Sequence, residues 1–200
     1  DAWASETFVN GGDGTLFEYE VVYNQTDTTG GVEGLKRAAG FDFYNGDIVD
    51  LGDRKENYRW QYQIKNKRER DDYSHIVNMA KAFNLSGAAL DEATQQVIDV
   101  DQWLQTFAMA AISGNSDIYS AGFSTHNVHF YVRPSDEKIV VMPHDQESAF
   151  SLSTTNELYD QDFNLAKLIE LPANLRLYYG HMQDMIDTTY NSAYITPWAN

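Results

Sequence analysis

Two hundred residues, 42% hydrophobic and 14% aromatic, can bury the core of one domain or of part of a larger one. A net charge of −16 argues against nucleic acid or an anionic membrane surface as partner, because binding to phosphate-rich partners depends on lysine and arginine. The absence of cysteine excludes disulfide staples and thiol chemistry, and no apolar run nears the roughly 20 residues that span a bilayer, so membrane insertion is not expected.

The stretch from Asn10 to Tyr58 is rich in Gly, Asp, Asn and Thr, with short apolar pairs such as Val21-Val22, and predicts strands and long loops. From Tyr58 to Lys65 the residues Tyr58, Trp60, Tyr62 and Ile64 alternate with Arg59, Gln61, Gln63 and Lys65, which predicts a strand with an aromatic inner face. Half of the 14 basic residues lie between Arg54 and Arg70. They are either a solvated sheet face, or Arg59 or Lys65 faces an acidic site and offsets substrate charge. A helix from Asp72 to Phe83 follows, with Tyr73, Ile76, Val77, Ala80 and Phe83 as its stripe and Asn84 at its end.

The next helix, from Val100, carries Trp103, Leu104, Phe107, Ala108 and Ala111 on one face, with Asp99 or Asp101 to cap it and Gly114 to end it. A polar loop through Asn115, Ser116 and Asp117 leads to a strand, Val128 to Val132. A turn at Pro134 to Glu137 gives a second strand, Ile139 to Met142, which Pro143 stops just before His144-Asp145-Gln146-Glu147. A last helix from about Ala173 to Tyr190, led by Pro172, sets Leu175, Tyr178, Tyr179, Met182, Met185 and Ile186 on one side as core residues.

Among 30 acidic residues a single aspartate is ordinarily a cap or a solvated side chain. Asp117 and Asp145 differ because a loop and a hairpin bracket them, a compact way to set two carboxylates around a cation and phosphate. The amide oxygen of Asn127 is a candidate third hard ligand, and Glu147 a candidate for the same ion or a second one. His126, His129 and His144 with Asp145 offer a zinc site for hydrolysis, although their spacing matches no metal motif. A carboxylate pair also serves glycoside hydrolysis, with no specific support here.

The strings VDQWLQTFAMAAISGNSD, NVHFYVR and KIVVMPHDQESAF, in that order, resemble the core of the spore coat protein H (CotH) kinase-like family. The shared elements are Gly114-Asn115-Ser116-Asp117, Asn127 with Phe130-Tyr131, and Pro143-His144-Asp145-Gln146-Glu147. Gly12-Asp13-Gly14-Thr15-Leu16-Phe17 resembles the family's Gly-Asn-Leu-Tyr element, and Tyr62-Gln63-Ile64-Lys65 its Tyr-Glu-x-Lys strand. Two positions depart from the pattern: Glu147 replaces a second aspartate, and Ile139 stands where members often carry an aromatic able to stack on a base. His144 falls where the family accepts tryptophan or histidine, which implies packing.

The resemblance implies an α+β, atypical protein kinase-like fold, with a helical C-terminal lobe and a short β-hairpin carrying the metal site. It implies that residues 1–200 are a fragment, about the C-terminal two-thirds of a CotH kinase-like domain, with the nucleotide-binding part preceding Asp1. Asp117 then corresponds to the catalytic-loop aspartate and Asp145 to the metal aspartate, with Asn127 and Glu147 assisting. The implied cofactors are ATP and Mg (or Mn), and the implied activity is transfer of the γ-phosphate to Ser or Thr of a surface or coat protein. Secretion or cell-surface display is implied by the same analogy. The alternative is a non-catalytic, pseudokinase-like surface or scaffold module.

Overall fold

The computed structural model describes residues 2–21, 23–24, 37–38, 46–119, 121–122, 126–153 and 157–198. In chain order these form α1 (Ala2–Thr7), β1 (Thr15–Tyr19), β2 (Tyr23–Asn24), β3 (Arg37–Ala38), β4 (Tyr62–Ile64), α2 (Ser74–Phe83), α3 (Gly87–Val97) and α4 (Val100–Ile112). Then come β5 (Asp117–Ile118), β6 (Ala121–Gly122), β7 (Val128–Val132), β8 (Ile139–Pro143), α5 (Asn164–Ile169), α6 (Pro172–Thr188) and α7 (Ser192–Ile195). The class is mixed α+β: seven α-helices among the described residues and a small antiparallel sheet in the order β4-β1-β7-β8.

Period-two alternation divides the sheet into two faces. Phe17, Tyr19, Tyr62, Ile64, Val128, Phe130, Val132, Ile139 and Val141 turn inward and are buried against α2, α4, α5 and α6. On the opposite face, Tyr131 and Val140 meet Ala4 of α1, with Phe8, Leu16 and Met142 around them. The rest of that outer face is polar, and the register sets Glu18 of β1 directly across from His129 of β7.

Helix α4 locks the free edge of the sheet. Asp99 caps it by accepting from the Gln102 backbone N–H, and Gly114 leaves it at φ 57°. The Gln102 side chain pairs with β8 as a strand would: its Oε1 accepts from Val141 N at 2.9 Å and its Nε2 donates to Val141 O at 2.6 Å. Trp103 donates its indole N–H to Ile139 O at 2.9 Å and stacks on Phe130 at 5.4 Å. An edge strand that would otherwise offer open backbone groups is thereby covered.

Three expectations need correction. The Tyr58–Lys65 strand shrinks to Tyr62–Ile64, because Gln61 and Tyr62 both donate backbone N–H groups to Tyr58 O, a turn whose aromatics still point inward. In α6, Leu175, Tyr178, Met182 and Met185 pack on the core, whereas Tyr179 and Ile186 lie on its flank, 48% and 46% exposed. The loop after Asp117 contains the two-residue pairing of β5 with β6. Much of Asn10–Tyr58, expected as strands and loops, lies outside the described residues at 25–36 and 39–45, as does Val22 of the Val21-Val22 pair.

Candidate functional site

Beyond the positive-φ turn at Gly114 the chain enters a lattice of side-chain to backbone bonds. Asn115, fully buried, accepts from Asp117 N through Oδ1 at 2.9 Å and donates through Nδ2 to Gln146 Oε1 at 2.9 Å. Gln146 in turn donates to His144 O. The backbone N–H groups of Phe150 and Leu152 reach Ser113 O and Gly114 O. Two segments about thirty residues apart are thus held as one unit, with Asp117 on the first and Asp145 on the second.

Asn127 completes the brace. Its backbone sits in the left-handed region at φ 56°, its Nδ2 donates to Asp117 O at 2.9 Å, and its own carbonyl accepts from His144 N at 2.8 Å. The expectation was that its amide oxygen points at a cation. What the geometry adds is a mechanical link from the Asp117 backbone to the residue before Asp145.

Asp145 and Glu147 are exposed, and Asp145 holds φ 49°. The hydrogen bond to Asp145 comes first in raising the Glu147 carboxyl above its usual range. A backbone hydrogen bond opposes it, and the negative charges of Asp145 and Asp117 add to it. The Glu147 carboxyl thus feels both Asp145 and Asp117, whose two segments the Asn115 and Asn127 bonds hold together. Carboxylate oxygens suit a hard divalent ion such as Mg or Mn, the metal that the family resemblance implies, and the buried Asp117 Oδ1, with no hydrogen bond among the described residues, fits such an ion.

Asp117 also has an imidazole partner. Its Oδ1 lies 3.0 Å from His126 Nε2, off-axis for a hydrogen bond, so the buried Oδ1 makes none among the described residues. His126 Nδ1 is 3.1 Å from Glu20 Oε2. Burial opposes a charge on His126, but Glu20 and Asp117 together outweigh it and raise its pKa. A histidine whose folded pKa exceeds its unfolded value stabilises fully below about pH 6.5 and loses that contribution as pH rises through the folded value. His126→Gln should therefore flatten the fall in thermal unfolding temperature between pH 6 and pH 8, measured by circular dichroism. An identical pH slope in both proteins would remove this charge from the account.

The basic stretch divides. Arg59, 2% exposed, pairs with Asp71 and approaches Glu56 at 3.8 Å, so its reading as a cation facing Asp117 is corrected: an acid twelve residues on holds it. Lys65 pairs with Glu18 on the outer sheet face. Ile139, at the position where the family often carries an aromatic able to stack on a base, is wholly buried in the core. The histidines divide too. His126 belongs to Asp117, while His129 and His144 stack at 4.3 Å with 20° between rings and both approach Glu18. Burial, then the nearby His144, lower the His129 pKa. The grouping of three histidines with Asp145 is therefore replaced by two separate constellations.

Sequence reasoning missed Glu18 and Glu20. Their signal was an i, i+2 spacing that runs from Glu18 on β1, opposite His129, to Glu20 just past its end.

The profile of the CotH kinase protein family matches residues 5–199. Comparison with curated proteins gives no match.

Proposed function

The chain belongs to the CotH kinase protein family, and from that premise we propose that it is the catalytic part of an atypical kinase transferring the ATP γ-phosphate to Ser or Thr of a protein. The observation that supports this reading is the frame in which Asn115, Gln146 and Asn127 hold the Asp117 backbone to the segment that carries Asp145 and Glu147.

Asp145 and Glu147 would hold the magnesium or manganese ion, with Asn127 assisting. When bound, that ion supplies charge neutralisation at the phosphate oxygens. Asp117 orients the acceptor hydroxyl and takes up its proton at a carboxylate oxygen. His126 holds Asp117 from one side, and Glu20 fixes the other nitrogen of that imidazole. Asn115 and Asn127 keep the backbone at Asp117 and the backbone beside Asp145 in register, so reacting groups meet without reorganisation. The acceptor is a surface or coat protein, and the setting is extracytoplasmic.

Thermal unfolding of the full-length protein tests the reading. Mg-ATP at 100 times its dissociation constant should add about 2.7 kcal/mol to the native state, with chelator abolishing the gain. No shift removes the kinase reading. A shift without phosphate transfer to any protein selects a nucleotide-binding scaffold instead.

A further inference from the structure

The outer face of the sheet carries a constellation that phosphoryl transfer does not use. Glu18 of β1 stands opposite His129 of β7 in the antiparallel register, and His144 follows directly after β8. Glu18 Oε1 lies 3.9 Å from His129 Nε2 and 3.6 Å from His144 Nε2, and the three donor atoms all fall within 4.8 Å of one another. His129 Nε2 is buried and makes no hydrogen bond among the described residues. A shielded ring nitrogen beside a carboxylate and a stacked imidazole, with no hydrogen bond of its own, calls for a partner, and a bound cation would supply one.

We propose that Glu18, His129 and His144 form a second metal site, selective for a borderline transition cation such as zinc and distinct from the acid cluster at Asp117, Asp145 and Glu147. Two imidazoles and one carboxylate are a donor set for zinc, copper, nickel or ferrous iron, whereas magnesium prefers oxygen ligands and keeps several waters. Tetrahedral zinc with bonds of about 2.0–2.1 Å places its ligands about 3.3 Å apart, so on binding the 3.6 and 3.9 Å separations shorten and the two stacked rings turn toward a common point. Lys65 engages Glu18 Oε2, which leaves Oε1 turned to the two rings. An ion-pair partner on the far oxygen orients the carboxylate as outer-shell partners of metal ligands do. Three protein donors leave one coordination position for water. Because the His144 N–H is held by Asn127 O, the ion would also tie the outer sheet face to the segment that carries Asp145.

The test uses metal-free full-length protein with magnesium in excess, titrated with Co²⁺ and with Zn²⁺. Calorimetry reads the affinity, and visible absorption of the cobalt form reads the geometry. The wild type should bind one ion per chain with intense, tetrahedral-type cobalt bands. Glu18→Gln and His129→Gln, both checked for native circular dichroism, should each weaken binding by about 30-fold or more. Asp145→Asn should leave it unchanged. Absence of binding to the wild type, or wild-type affinity in either Gln variant that folds, overturns the proposal. So does loss of cobalt binding in Asp145→Asn alone, which places the ion at the acid cluster. The Mg-ATP shift is read separately, so failure here and failure of the kinase reading are distinguishable.

Discussion

Asp145→Asn is expected to lower turnover by about 10³-fold or more and to abolish the Mg-ATP thermal shift while leaving the ligand-free fold intact. Asparagine tolerates the left-handed backbone that Asp145 adopts at φ 49°, so the change removes charge with little strain. Asp117→Asn should separate from it. Turnover falls about 10²- to 10⁴-fold, the range of a lost general base, but the Mg-ATP shift persists because Asp117 acts on the acceptor. Steady-state phosphorylation alongside thermal unfolding reads both quantities. If both variants lose the shift equally, all three acids hold the metal together and Asp117 has no separate role. If neither loses turnover, the acid cluster is not the reaction centre.

Trp103→Ala should cost about 3–5 kcal/mol, the usual toll of deleting a fully buried tryptophan. Trp103 stacks on Phe130, lies 5.6 Å from Phe83 and 6.0 Å from Phe107, and donates to Ile139 O. That loss is a large share of the roughly 5–15 kcal/mol by which a domain is stable. At about 2–4 °C per kcal/mol for a chain of this size, the melting temperature should fall by about 6–20 °C. Trp103→Phe should lose less, since it keeps a ring against Phe130 while giving up the indole hydrogen bond and part of the buried volume. A melting temperature within 2 °C of wild type for Trp103→Ala would mean that the sheet edge does not depend on α4.

What was legible in the sequence is what local pattern encodes. Helix α4 shows an amphipathic stripe between a capping Asp99 and a terminating Gly114, and the β7-β8 hairpin shows alternation punctuated by Pro134 and Pro143. Helix α3 was missed because only Leu90 and Thr94 along it are buried, which leaves no stripe to read. The Tyr58–Gln61 turn imitated a strand, since its aromatics happen to alternate with polar residues. In the site, the order of Asp117 and Asp145 along the chain was visible, and so was the family they point to. Their supports were not. Glu20 meets His126 across 106 residues, and Asn115 meets Gln146 across 31, and no window of sequence encodes such contacts. Arg59 shows the same limit, because the acid that captures it lies beyond the strand that was read.

The left-handed backbone at Asp145 has a consequence for anyone who engineers this protein. Glycine relieves that conformation best, so a search guided by folding stability alone will favour Asp145→Gly and count the carboxylate as expendable. With the metal role proposed for Asp145, stability and activity screens should rank this one position in opposite orders, and a library sorted by heat resistance will discard its carboxylate.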